Sequence, residues 1–265
     1  MHQPSIDRPG LLQALDPSKP NTPTLGVPEL DVYAEQGLIT RIHAQLTSGK
    51  EATVYCCRAH PSTNRKFLAA KVYRAHAASA YRRSGSYFEG RERTMKARTR
   101  RAIERGTAFG REALRAEWIA AEFEALRRLS ARGASVPRPL AQVGSSILME
   151  YVGNGAGPAP HLHGIDLDEA DAQRLFDLLL AEIETMLRDH LIHGDLSPHN
   201  ILIWKERPWV IDLPQAIDAR FNRSALELLR RDVETLCSFF ARCGARADPI
   251  GIVNDLWHRY RRAEI

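Results

Sequence analysis

The stretch that most constrains the fold is HGDLSPHNILIWKERPWVIDLPQA, residues 193 to 216, because two short runs of β-branched and aromatic residues lie close together within it. Ile201 to Trp204 and Trp209 to Asp212 read as strands, and the polar Lys205-Glu206-Arg207-Pro208 between them reads as a turn. With Trp204 and Trp209 flanking that turn, Ile201 lies opposite Asp212, and the antiparallel ladder brings Asn200 beside Asp212 at the open end. Asp195 precedes Asn200 by five residues in a Pro-containing loop, so its carboxylate can approach the same hollow from another side.

Asn200 and Asp212 are suitable ligands for a hard cation, and Asp195 is placed to orient a hydroxyl. Phosphoryl transfer needs that combination. A solvated loop followed by an ordinary hairpin is the competing reading, since D-x-x-x-x-N spacing recurs freely, and corroboration has to come from upstream.

From Ile39 to Val72 short β-type runs alternate with turn signals: ITRIHAQL, SGKE, ATVYCCRA, HPSTNRK, FLAAKVY. A small antiparallel sheet is expected. In the turn Ser48-Gly49-Lys50-Glu51, Gly49 lets the backbone approach an anion and offer N–H donors, although an ordinary hairpin turn fits as well. Lys71 is the lone charge in FLAAKVY. The helical pattern EALRAEWIAAEFEALRRLSARG, ending near Gly133, puts Trp118, Leu126 and Leu129 on one stripe with Glu122 in its middle. A carboxylate there either lines the edge of a broad stripe or needs a buried partner, for which Lys71 is the natural candidate.

ILMEYV reads as a strand running out into a Gly/Pro linker, which puts Met149 to Val152 at the junction of a β-rich and an α-rich half, where a crevice would take a ligand. Beyond it, Glu169 to His190 is an amphipathic helix with Asp168 as its cap and Leu175, Leu178, Leu179, Ile183, Met186 and Leu187 on its core face. Another helix runs from Ser224 to Cys243, with Asp232 either bonding the loop around Asp195 from beneath or pairing on the surface.

Composition excludes several classes. With 265 residues and 44% hydrophobic content the chain can bury a sizeable core. Residues 1 to 30, with six prolines, read as a flexible leader, and no signal peptide or membrane span is legible. Four cysteines without CxxC spacing point to a reducing cytoplasm. The net charge of +5 is concentrated: residues 81 to 115 hold eleven Arg or Lys against four Glu, a local +7 that leaves −2 elsewhere. That segment is expected to be a flexible basic insertion, interleaved with Ser84, Ser86, Thr94, Thr99 and Thr107, for docking and self-phosphorylation. A solvated helix face or an electrostatic RNA contact are the alternatives.

Taken in order, TSGKEATVY, AAKVYR, the basic insertion before AEFEALRRL, MEYVG, PAPHL, HGDLSPHN and VIDLPQA resemble the RIO-type atypical serine/threonine protein kinases over roughly residues 37 to 250. The leader is short for a winged helix, so the chain resembles members without one. The resemblance implies an α+β, two-lobed protein-kinase-like fold in residues 31–265, with a β-rich N-lobe to about 149 and a reduced α-rich C-lobe from about 153. It also implies ATP as substrate with Mg²⁺ or Mn²⁺, protein serine as acceptor, and a phospho-aspartate route to water. By the same resemblance, Lys71 held by Glu122 contacts phosphates, Asp195 orients the attacking hydroxyl, and Asn200 and Asp212 bind metal, Asp212 also accepting phosphate. Ser48, Gly49, Lys50 and Val54 would cover the nucleotide, and Met149, Glu150 and Val152 would hold its base. Some family members act in small-ribosomal-subunit maturation, which implies RNA or ribosomal contact for the basic segment. HGD-x-x-x-x-N also occurs in aminoglycoside and choline kinase-like enzymes, so a small-molecule phosphotransferase remains an alternative, as does a nucleotide-dependent assembly factor.

Overall fold

The computed structural model describes residues 25–74 and 95–265. The chain enters through α1 (Pro28–Glu35), started by Pro28 in its first turn. Then β1 (Ile39–Ser48), β2 (Ala52–Ala59) and β3 (Phe67–Tyr73) follow the three β-type runs. Next come α2 (Ala97–Glu104) and α3 (Ala108–Ala131). With β4 (Pro139–Val143) and β5 (Ser146–Glu150) the strands make one antiparallel sheet of order β1-β2-β3-β5-β4.

β3 is central, and its period of two sorts its side chains between two cores. Leu68, Ala70 and Val72 share a cluster with Leu30 and Tyr33 of α1, while Ala69 and Tyr73 join Leu114, Trp118 and Leu126 of α3. Lys71, two residues from both Ala69 and Tyr73, therefore points to the α3 side. Leu30 and Tyr33 are fully buried, so the expected leader of residues 1–30 is too long at its end: α1 begins at Pro28 and seals the sheet.

The expectation of one flexible basic insertion over 81–115 also needs correction. Residues 97–104 and 108–115 are helical, and only 81–94 of that expectation lies outside the described residues. α2 and α3 form a hairpin whose contact admits no side chain at Gly110, where a Cβ would come within 2.1 Å of the Ala102 carbonyl oxygen. Thr107 caps α3, accepting the Gly110 N–H at 3.0 Å, so the helix starts four residues before the Glu112 expected from periodicity.

After β6 (Gly153–Asn154) and β7 (Gly157–Pro158), the helical half begins with α4 (Glu169–Arg188), capped by Asp168, which accepts the Asp171 N–H at 2.8 Å. β8 (Leu191–Ile192) leads to the loop at Asp195, then β9 (Ile201–Trp204) and β10 (Arg207–Val210) form a hairpin. β11 (Ile217–Asp218) pairs back on β8, and α5 (Ala225–Arg242) and α6 (Pro249–Arg261) close the lobe. The two lobes share a continuous core from Met149 through Leu179 to Phe240, and the whole is the expected α+β, two-lobed kinase-like fold.

The hairpin register differs from expectation by two residues. Trp204 pairs with Arg207 and Ile201 with Val210, so the turn is only Lys205-Glu206, both in the left-handed region at φ 51° and 60°. That is the twist a two-residue hairpin loop needs, here without the usual Asn-Gly. A shift of two preserves the faces, and the ladder continues to Asn200, whose carbonyl accepts the Ile211 N–H at 3.0 Å. Asn200 is thus opposite Ile211, one residue short of the expected partner.

Candidate active site

A cleft of about 740 Å³ lies between the lobes. Its walls include Ser48, Gly49, Lys50, Val54, Lys71, Glu122, Met149, Glu150, Val152, Asn200 and Asp212. Asp195 is not part of the lining. It is exposed, and its carbonyl accepts from Asn200 Nδ2 at 2.9 Å.

Lys71 and Glu122 meet as expected from the two lone charges. The Lys71 ammonium donates to both Glu122 oxygens at 2.8 and 2.9 Å, with Lys71 8% and Glu122 1% exposed. Sequence reasoning missed the third member: Asp212 Oδ1 lies 2.5 Å from the same ammonium. Burial alone would lower the Lys71 pKa, but Asp212 and Glu122 outweigh it and hold the lysine charged. Burial raises Glu122 above its usual range despite Lys71 and the Leu213 N–H. Burial also acts to raise Asp212, yet Lys71 prevails and keeps that carboxyl below its ordinary value. Asp212 adopts φ 66°, a left-handed conformation that aspartate tolerates better than most residues.

The loop carrying Asp195 is held from below. Asp232 on α5 accepts the Gly194 N–H at 2.7 Å and the Leu196 N–H at 2.9 Å, and Arg231 donates to the Gly194 carbonyl. The interior alternative for Asp232 is therefore the observed one. His193, 1% exposed, donates from Nε2 to the Ile211 carbonyl at 3.1 Å and accepts the Asp195 N–H on Nδ1 at 3.3 Å, which sets its tautomer. Partial burial raises the Asp195 pKa, with His193 opposing and Asp212 adding to the rise. Further back, Arg128 and Arg132 at the end of α3 reach the buried Asp189 carboxylate at 2.7 and 3.3 Å, just before β8.

On the opposite wall the Ser48–Glu51 turn is exposed except for Glu51, and Arg74 binds Ser48 Oγ at 2.6 Å. At the junction the Val152 carbonyl accepts from Ala159, while its N–H has no hydrogen bond among the described residues. A free N–H on a cleft wall suits a planar, acceptor-bearing base. Asn200 spends its Nδ2 on Asp195, leaving Oδ1, which with the Asp212 carboxylate gives two hard oxygen donors on residues that line the cleft. That set fits a Mg²⁺ ion, which Asn200 and Asp212 would hold. The cleft residues not foreseen include Ala159 and His161 from the PAPHL segment, His199 from the turn before the hairpin, and Leu202 from the hairpin. Burial and neighbouring imidazoles hold His161 below the usual histidine range despite its bond to the His199 carbonyl.

A five-stranded sheet over a helical lobe, with a buried Lys–Glu pair above an Asp/Asn pair, defines a protein-kinase-like architecture. Residues 53–250 match the RIO domain, and the chain belongs to the RIO family. It is 31% identical over 214 residues to the RIO-type serine/threonine-protein kinase Rio1 of Haloferax volcanii, covering 81% of this chain and 68% of that protein. It is 28% identical over 211 residues to the serine/threonine-protein kinase RIO1 of Caenorhabditis elegans, covering 79% of this chain but 39% of the relative. The chain thus spans about two fifths of the nematode protein's length. In fold it resembles the Rio2 kinase of Chaetomium thermophilum crystallised as an ADP/Mg²⁺-phosphoaspartate complex, with TM-score 0.62, 22% identity, and 88% and 65% of the two chains covered. No helix among the described residues is long and apolar enough to cross a membrane.

Proposed function

We propose that the chain is an ATP- and Mg²⁺-dependent serine/threonine protein kinase and ATPase of the RIO type. It passes the γ-phosphoryl group to a protein serine, its own included, or through a phospho-aspartate to water. The observation that carries this reading is the Lys71 ammonium buried between Glu122 and Asp212. Stability does not account for it, because replacing a buried ion pair by apolar residues is commonly neutral or stabilising by about 1–4 kcal/mol. Its position on the wall of the cleft gives it a use: a charged lysine meets the nucleotide phosphates.

In this reading Glu122 holds Lys71 upright while Lys71 exchanges Asp212 for the α- and β-phosphates. Asp212 and Asn200 Oδ1 hold the metal, which when bound draws charge from the phosphate oxygens. Asp195 orients the acceptor hydroxyl and takes its proton. Gly49 and its neighbours Ser48 and Lys50 cover the phosphates with Val54 behind them, Met149 lines the base pocket, and the Glu150 and Val152 backbone holds adenine. For the water route, an Asp212 oxygen attacks the γ-phosphorus, ADP leaves with the bridging oxygen, and water later cleaves the acyl phosphate.

The test follows γ-labelled phosphate in purified protein given Mg²⁺ and ATP. Label on serine and a hydroxylamine-labile fraction at Asp212 are expected, both lost on Lys71→Met, whereas turnover unaffected by that substitution refutes the reading. A second role has its own observation: Lys96, Arg98, Arg101 and Arg105 around α2 form no ion pair among the described residues. That supports contact of the basic segment with RNA, including ribosomal RNA, and salt-insensitive RNA binding would dispose of it. A cytoplasmic location is part of the same proposal, resting on the four free thiols.

A further inference from the structure

One side chain from the segment after the interlobe junction grips the catalytic loop and has no part in the roles given above. His161 Nδ1 lies 2.7 Å from the carbonyl oxygen of His199, the residue before Asn200. A carbonyl only accepts, so Nδ1 carries the proton. The contact joins residues 38 apart in sequence, and His161 is itself well fixed. Its residue bridges to Leu202, the Gly164 N–H donates to its carbonyl at 3.0 Å, and the Ile203 N–H donates to Pro160 at 2.9 Å.

The recipient needs such a hold. Pro198–Asn200 is a single 3-10 turn, and the residue before it, Ser197, makes no side-chain cap. Its other ties are two backbone bonds, the Asn200 N–H to the Ser197 carbonyl at 2.9 Å and the Ile211 N–H to the Asn200 carbonyl at 3.0 Å, and one bond within the loop, from Asn200 Nδ2 to the Asp195 carbonyl at 2.9 Å. Among the described residues, His161 supplies the one side-chain bond from outside the loop to this turn's backbone. The ring also belongs to a run of imidazoles, with centroids 5.5 Å from His163 and, beyond it, 4.1 Å from His163 to His199, which restrains its rotation.

We propose that His161 is a positioning residue for Asn200. By holding the carbonyl one residue earlier, it fixes where Asn200 Oδ1 meets the cleft, and so tunes the affinity for a divalent cation bound with nucleotide. The inference rests on the function proposed above and deepens it. Partners that orient a metal ligand are typically worth about 10- to 100-fold in metal affinity.

The experiment titrates ADP into the full chain by calorimetry, with Mg²⁺ and with EDTA, for wild type, His161→Leu and His161→Asn. Leucine removes the donor, whereas asparagine offers an amide N–H near the place of Nδ1. In EDTA the three proteins should bind ADP alike; with Mg²⁺ the leucine variant should lose about tenfold of the affinity that the metal adds, and asparagine should restore most of it. Thermal transitions verify folding, with His161→Met replacing the leucine variant if that one does not fold. An unchanged Mg²⁺ dependence in the leucine variant overturns the proposal. So does equal loss with and without metal, the signature of a mere wall residue, or a failure of asparagine to rescue. Wild type that binds ADP with no response to Mg²⁺ would instead refute the functional reading beneath it.

Discussion

Gly194 and Leu196 give their N–H groups to the buried Asp232 and the Gly194 carbonyl is taken by Arg231, whereas the Ser48–Glu51 turn across the cleft is held at the surface. That turn has the Gly49 N–H to Ala52 bond at 2.9 Å, the Arg74 N–H to Glu51 bond at 2.8 Å, and the Arg74 hold on Ser48. Ser48, Gly49 and Lys50 are all exposed. One wall is ordered before any ligand arrives, so its geometry costs little at the moment of reaction. The other wall is exposed and can settle around what enters.

Removing a group from the ordered wall without disturbing its supports should have the largest effect. Asp195→Ala should slow phosphoryl transfer by about 10²- to 10⁴-fold while ADP affinity stays near wild type, because Asp232 and not Asp195 holds the loop. Turnover of γ-labelled ATP alongside calorimetry checks both halves. The acid limb of the wild-type kcat/KM profile, which reports the free enzyme in which Lys71 still holds Asp212, carries a related sign. Asp195 titrates above an ordinary aspartate, so its working carboxylate is lost at a higher pH than usual, while Asp212, held low by Lys71, is still ionised there. An acid limb lying at or below the ordinary aspartate value would assign that limb to another group.

The bridge between the walls comes next. Lys71→Met and Glu122→Gln should each impair ATP turnover, and together should fall short of the sum by about 0.5–3 kcal/mol, since the two side chains share one ammonium-carboxylate contact. Additive losses in the double-mutant cycle would mean that the contact carries no function.

Asp232→Ala attacks the support itself. Two N–H groups lose their buried acceptor, and unfolding should become easier by about 2 kcal/mol, read as a lowered thermal midpoint with reduced turnover. The adaptable wall should answer differently. A Cβ on Gly49 would meet only the Ala52 carbonyl oxygen, at 3.5 Å, an ordinary contact. Gly49→Ala should therefore leave stability unchanged and raise the KM for ATP by a few fold; a large drop in thermal midpoint would show that the glycine serves folding and not the approach of phosphate.

The same contrast explains what was legible in the sequence. Strands β1 to β3 declared themselves as β-type runs separated by turn signals, and Lys71 and Glu122 by being lone charges on apolar faces, because burial leaves few other ways to satisfy them. α2 did not, since ARTRRAIE has almost no apolar stripe and is held largely by the close approach at Gly110. α1 hid within a proline-rich run, where two residues, Leu30 and Tyr33, supply the burial. The hairpin register was missed because Lys205-Glu206 adopts left-handed backbone without the glycine that normally advertises it. The Lys71–Asp212 contact and the grip of His161 on His199 join residues 141 and 38 positions apart, and no local pattern reports such meetings.

The clasp of Arg128 and Arg132 on Asp189 makes α3 a lever with its fulcrum at the turn from which the catalytic loop springs. Glu122 sits six residues along the arm from Arg128, or about 9 Å at the helical rise of 1.5 Å per residue. A tilt of about 10° about that fulcrum moves Glu122 by roughly 1.6 Å on such an arm, enough to part it from Lys71. Whatever leans on the free end of the lever, where the α2 hairpin is mounted, therefore gains leverage over the lysine without touching the cleft.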